Sequence, residues 1–112
     1  MSQLEEIFDI ISKYTAKDKL SKGLGNWSTV FQFELDGEKT FYIVVNQGKF
    51  EIQQGIYPKP KTVVSGEILA LKELLNGIVD VTHFIAGGKL RLIRGDYFDL
   101  LNLSRAAYLV KR

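Results

Sequence analysis

Apolar positions change period along this chain, from helical spacing at the start to alternation in the middle and back again at the end. Leu4, Ile7, Phe8, Ile11 and Tyr14 form one apolar stripe, predicting an amphipathic helix that stops near Thr15. Ser2, with Glu5 three residues on, has the spacing of a capping box at its start. Lys17 to Gly25 reads as a polar connector carrying Lys17, Lys19 and Lys22. Trp27, Thr29, Phe31, Phe33 and Leu35 then alternate with Ser28, Gln32 and Glu34, which predicts a strand. Asp36-Gly37 is a hairpin turn signal. Phe41-Tyr42-Ile43-Val44-Val45 is apolar on both faces, as in a strand central to its sheet or covered on two sides. After Asn46-Gln47-Gly48, Phe50 and Ile52 alternate with Glu51 and Gln53 in a third strand ending at Gly55. The three form an antiparallel meander.

The next segment, Tyr57-Pro58-Lys59-Pro60-Lys61, is a loop, because its prolines lack ladder donors. It leads to a short strand, Thr62-Val63-Val64. Ser65 is placed to cap a helix with a broad apolar face of Ile68, Leu69, Leu71, Leu74 and Leu75, stopped by Asn76-Gly77. Asp80 caps a short helix holding Val81, Phe84 and Ile85, and Gly87-Gly88 ends it. On a fifth strand, Leu90 and Leu92 point one way and Arg91 the other. Asp96 caps the last helix, with Asp99 in its first turn suiting the positive end of the helix dipole. That helix has few polar positions (Asp99, Asn102, Arg105), so it must be largely covered or touch lipid.

Composition narrows the reading. The 112 residues, 46% hydrophobic and 25% charged, suit one globular domain spanning 1–112. Such a chain buries roughly 65% of its unfolded surface, enough for one core and not two. The net charge of +2 and the acidic first helix argue against nucleic acid as a partner. Without cysteine there is no disulfide or thiolate chemistry. The start Met1-Ser2-Gln3-Leu4-Glu5-Glu6 lacks the basic opening of a signal peptide, and no apolar run nears the ~20 residues of a membrane span. A cytoplasmic location is the expectation.

Candidate chemistry is sparse. His83 has no nucleophile or orienting acid beside it in sequence, and with Asp80 alone it makes no metal site, so a surface histidine is the preferred reading. Capping accounts for Asp80 and Asp96 more simply than general-acid work does. Gly87-Gly88 precedes a strand rather than opening a helix, and no Walker lysine follows, so it is not a phosphate loop. No catalytic residue, metal ligand or cofactor is expected. Lys59, Lys61, Lys89, Arg91, Arg94 and Arg105 read individually as solvated surface. Together on one edge, Lys89, Arg91 and Arg94 would draw the protein to headgroups of an anionic membrane, at ~1 kcal/mol per cation.

Trp27 to Val30 opening a phenylalanine-rich strand, the Asp36-Gly37 and Gln47-Gly48 turns, Leu74-Leu75-Asn76-Gly77, and Phe84-Ile85-Ala86-Gly87-Gly88-Lys89-Leu90-Arg91-Leu92 before Gly95-Asp96 together resemble the sterol carrier protein type 2 family. The resemblance runs from about Leu4 to Val110. It implies an α/β (α+β) fold: a five-stranded, mainly antiparallel sheet with helices on one face and a hydrophobic tunnel between the layers. It also implies non-catalytic binding and carrying of a fatty acyl chain, acyl-CoA, isoprenoid, sterol or phospholipid. The chain lacks the peroxisomal ending of many members. Tyr97-Phe98-Asp99 puts bulky rings and a carboxylate where the family often has smaller or methionine-type residues, which would narrow the tunnel or change its cargo.

The inward sheet set is Phe31, Phe33, Ile43, Phe50, Ile52, Leu90 and Leu92, and the covering set is Leu71, Leu75, Phe84, Phe98 and Leu101. By themselves these favour an ordinary filled core; the resemblance is what favours a tunnel lined by them. If Phe41, Ile43 and Val45 point inward, then Val30, Tyr42 and Val44 form an apolar outer face suited to a partner or a homodimer. The alternative to a lipid carrier is thus an interaction or oligomerisation module with a filled core, accessory to an enzyme. The last helix, Asp96 to Arg112, is the expected lid.

Overall fold

The computed structural model describes residues 2–15 and 23–111. Helix α1 spans Gln3–Thr15, and Glu5 N–H donates to Ser2 Oγ at 3.1 Å, one half of the expected capping box. Most of the predicted Lys17–Gly25 connector lies outside the described residues. The strands are β1 (Thr29–Leu35), β2 (Phe41–Asn46), β3 (Lys49–Gln54), β4 (Thr62–Gly66) and β5 (Leu90–Arg94). Helices α2 (Ile68–Leu75), α3 (Val81–Ala86) and α4 (Tyr97–Lys111) complete the chain.

One five-stranded sheet runs β3-β2-β1-β4-β5. Its pairs are antiparallel except β1 with β4, where Phe31 lies beside Thr62 and Phe33 beside Val64. Register fixes the two faces. Phe41, Ile43 and Val45 are buried while Tyr42 and Val44 are half-exposed, the parity expected from sequence. The inward face continues through Phe31, Phe33, Phe50, Val64 and Leu90 into a core shared with Ile7, Ile11 and Tyr14 of α1 and Leu71, Leu74 and Leu75 of α2. Tyr14 donates its hydroxyl to the Leu75 carbonyl at 2.6 Å, satisfying an orphan acceptor at the end of α2. Burial raises that phenol above its ordinary range, so it stays a donor.

Two local expectations are corrected. Ser65 does not cap α2. It lies inside β4, which runs on to Gly66, and its hydroxyl accepts from Arg91 Nε at 3.2 Å. Glu67 stands at the cap position without a side-chain cap bond. The outer sheet face is also less open than expected. Gln32 is buried there: its side-chain carbonyl accepts from Tyr57 N–H at 3.0 Å, and the Tyr57 ring lies 5.2 Å from that of Tyr42. The proline loop therefore lies over part of this face. The remaining caps match expectation: Asp80 accepts from Thr82 N–H at 2.9 Å, and Asp96 accepts from Phe98 N–H at 2.9 Å.

Two glycines permit close approach. Gly66 (φ +139°) passes against the Lys89 carbonyl, and a Cβ on Gly95 (φ +110°) would sit 2.7 Å from the Lys61 carbonyl. Gly37 (φ +75°) faces open space. Gly37→Ala should therefore cost about 1 kcal/mol, from conformation alone. Gly66→Ala or Gly95→Ala should cost about 3 kcal/mol or more, because backbone must also shift. Urea unfolding of the three variants measures the difference.

Candidate functional site

The residues expected to line a tunnel converge with one exception. Phe31, Phe33, Ile43, Phe50, Leu71, Leu75, Phe84 and Leu90 are buried in one cluster, and Ile52, Leu92 and Leu101 are half-buried against it. Phe98 stands apart, 71% exposed. The reason is helical geometry: Asp99, Leu100, Leu103, Ala106 and Ala107 form one buried stripe, and at about 100° per residue Phe98 falls on the far side of it. Rings form a wall on the sheet. Phe31 and Phe33 stack at 5.8 Å between centroids, Phe33 and Phe41 at 5.2 Å, and Trp27 meets Phe31 edge-on at 5.9 Å. Tyr14 of α1 tilts onto Phe50 at 5.0 Å. Phe41, Trp27 and Tyr14 belong to this wall although they were absent from the expected lining; strand parity and the helical stripe held the signal for Phe41 and Tyr14.

Among the described residues, the one carboxylate in this apolar layer is Asp99, 3% exposed. Its Oδ1 accepts from Trp27 Nε1 at 3.0 Å. Its Oδ2 accepts from the hydroxyls of Thr29 at 2.8 Å and Thr62 at 2.7 Å, and Lys61 Nζ lies 3.6 Å away. Burial pushes this carboxyl up, but the hydrogen bonds from Trp27, Thr62 and Thr29, with the Lys61 ammonium, outweigh it and hold the group below its ordinary 3.8. Sequence reasoning gave Asp99 a role at the helix dipole. Its actual role is a clamp between the start of α4 and the starts of β1 and β4. The missed signal was the inward parity of Thr29, a polar residue in a phenylalanine strand.

Clefts formed by the described residues open at the surface. One of about 360 Å³ lies between α4 and the Gly77–Asp80 turn; one of about 260 Å³ lies between the ends of α1 and α4. Another, of about 550 Å³, lies between α1 and the β1–β2 turn, with Leu4 and Phe8 beside Glu5, Asp9 and Glu38. Lys89, Arg91 and Arg94 are exposed along β5, an edge strand. Arg91 lies 4.0 Å from Asp36, and Arg94 donates to the Pro60 carbonyl at 3.0 Å. A bulge opposite Val63 and Val64 leaves Ile93 57% exposed between the two arginines. His83 is exposed on α3. Among the described residues no three of His, Cys, Asp and Glu are grouped to hold a metal ion, and no helix is long and apolar enough to cross a membrane.

Removing the Asp99 side chain strands three donors. Asp99→Ala should destabilise by about 3 kcal/mol. The sign of the pH effect follows from the lowered carboxyl. Its contribution is complete above the unfolded value of 3.8 and is lost as pH falls through the lower folded value. The stability gap between the unmutated protein and Asp99→Asn should stay level from neutrality to mild acid, then narrow below 3.8, as read by urea unfolding across pH.

The fold has known counterparts. No curated protein sequence matches this chain. Among solved structures, one described as UbiJ-SCP2, a ubiquinone synthesis protein, superposes with a TM-score of 0.74 at 16% identity, covering 94% of this chain and 88% of that one. A crystal structure of sterol carrier protein 2 gives 0.62 at 14% identity, covering 92% and 91%. Palmitated SCP2L2 from Aedes aegypti gives 0.61 at 20% identity, covering 88% and 91%. At these identities the likeness concerns the fold. The profile described as the SCP-2 sterol transfer family matches residues 6–107, and the chain belongs to that family.

Proposed function

We propose that this chain, as a single domain over 1–112, binds a lipid-like molecule between its helices and sheet and carries it chemically unchanged. The observation that carries the reading is the inner layer itself. Aromatic and aliphatic side chains line most of the sheet face beneath the helices, and among the described residues Asp99 is the one buried carboxylate, already satisfied by its donors. Such a surface rewards an apolar guest by about 0.8 kcal/mol per buried CH2, less ordering costs. The palmitated relative is a precedent for an acyl guest in this fold, and the ubiquinone synthesis relative makes an isoprenoid a second candidate cargo. The role is non-catalytic and needs no cofactor. The guest is admitted when α4 moves as a lid, and that motion sets the rate. The setting is the cytoplasm, with transient contact to anionic membranes through Lys89, Arg91 and Arg94, where exposed Ile93 adds an apolar contact.

A second reading has its own support. The inward set is so nearly inaccessible that a filled core, serving an interaction module or a homodimer through Val30, Tyr42 and Val44, fits it as well.

Two measurements decide. Mass spectrometry of natively purified protein should find a co-purified lipid, and a fluorescent acyl probe should bind saturably at one per chain. Absence of both, with a stable complex by light scattering, would instead support the interaction module. For membrane contact, each of Lys89→Glu, Arg91→Glu and Arg94→Glu should weaken binding to phosphatidylserine vesicles by about fivefold or more; unchanged binding by all three rejects the edge.

A further inference from the structure

Helix α4 is held unequally along its length. Its first turn is clamped by Asp99 and capped by Asp96, and Gly95 before it presses against Lys61 and Thr62. Leu100 and Leu103 are buried in its first half. The second half buries only Ala106 and Ala107, with Leu109 and Val110 half-exposed. There Val81 N–H donates to Ser104 Oγ at 3.3 Å and Lys111 Nζ to the Gly77 carbonyl at 3.3 Å. Both clefts along α4 flank this half, about 360 Å³ on one side and about 260 Å³ on the other. Small side chains release little apolar area when they part, so this end separates more easily than the clamped one.

The larger cleft has an apolar base. Its floor is Val79 and Leu101, both packed against the core cluster, and its rim carries Asp80, Ser104, Arg105 and Tyr108. The rim is therefore amphipathic in the order a single-tailed lipid is: apolar inside, polar outside. It is also electrically balanced, one carboxylate with one guanidinium. A bare anionic head is drawn by Arg105 and repelled by Asp80. A head that both donates and accepts hydrogen bonds meets a partner at each.

We propose that the cleft between α4 and the Gly77–Asp80 turn is the portal for an amphiphile whose tail passes over Val79 and Leu101, while Asp80 and Arg105 hold its polar head. The head is of the alcohol, phenol or zwitterion class. The inference rests on the carrier reading and adds to it a place, a pivot at Asp99 and a head-group preference.

The chain has no cysteine, so a staple across the cleft is clean. Asp80→Cys with Ser104→Cys, its disulfide confirmed by mass, should take up pyrenedecanol about tenfold or more slowly than the same variant after reduction. Hydrogen exchange of the unmutated protein with pyrenedecanol should show added protection in both Gly77–Val81 and Leu101–Tyr108; protection confined to other segments rejects the portal, whether or not the staple forms. Asparagine caps helices as well as aspartate, so Asp80→Asn keeps α3. That variant should shift preference toward pyrenedecanoic acid over pyrenedecanol by about fivefold, and Arg105→Gln should shift it the other way. Equal responses of the two probes overturn the head-group assignment. Uptake unchanged by the closed staple overturns the portal alone. No saturable uptake by the unmutated protein overturns the carrier reading, and the portal falls with it.

Discussion

A carboxylate buried in an apolar layer must be satisfied or it will not stay charged and buried. Asp99 sets that condition for this molecule. Its partners come from far along the chain: Trp27 and Thr29 at the start of β1, and Thr62 with Lys61 at the start of β4. All reach one point only if β1 and β4 run side by side in the same direction, so that their beginnings lie together. The parallel pairing of Phe31 with Thr62 does this. It also requires the chain after β5 to pass close over Lys61 and Thr62, which Gly95 permits because it has no Cβ. One side chain thus registers α4 against the sheet, and the position of the apolar layer beneath that helix follows.

The same requirement shows what was legible in the sequence. β1, β3 and β5 were legible because their inner and outer faces differ in polarity, and period-two alternation survives whatever the sheet order; β2 was legible as an apolar run between two turns. Caps were legible where one residue does the work, as at Asp80 and Asp96. Ser65 misled because a serine before an apolar run satisfies the local rule for a cap. A strand continuing to Gly66, paired with Leu90, is a long-range fact that overrides it. Asp99 misled for a related reason. A carboxylate in the first turn of a helix satisfies the dipole rule while facing either way, and nothing local records that Thr29 and Thr62 lie beneath it. Phe98 misled as well, since the buried stripe of that helix runs through Asp99, Leu100, Leu103, Ala106 and Ala107 and leaves Phe98 on the opposite side. The lining of a tunnel was legible only as a list of apolar positions. Whether two such layers leave a gap depends on side-chain volumes across elements distant in sequence.

The near-complete burial of that lining bears on what a carrier needs. A permanently open, dry cavity costs stability in the empty protein, because the atoms around a void forgo contacts. A layer that closes on itself avoids this cost and lowers affinity instead. If the open form is about one part in a hundred, apparent affinity falls about a hundredfold relative to the open form. For an enzyme inhibitor that would be a defect. For a protein that must surrender its cargo it is useful, since the collapse of the layer helps expel the guest. The uneven hold on α4 fits this balance. A helix clamped at both ends would trap a lipid, and one free at both ends would leave its apolar face to solvent. On the portal proposal, a fixed first turn with a second half seated on alanines would let the layer part while Asp99 stays buried and satisfied, so exchange would not expose its charge.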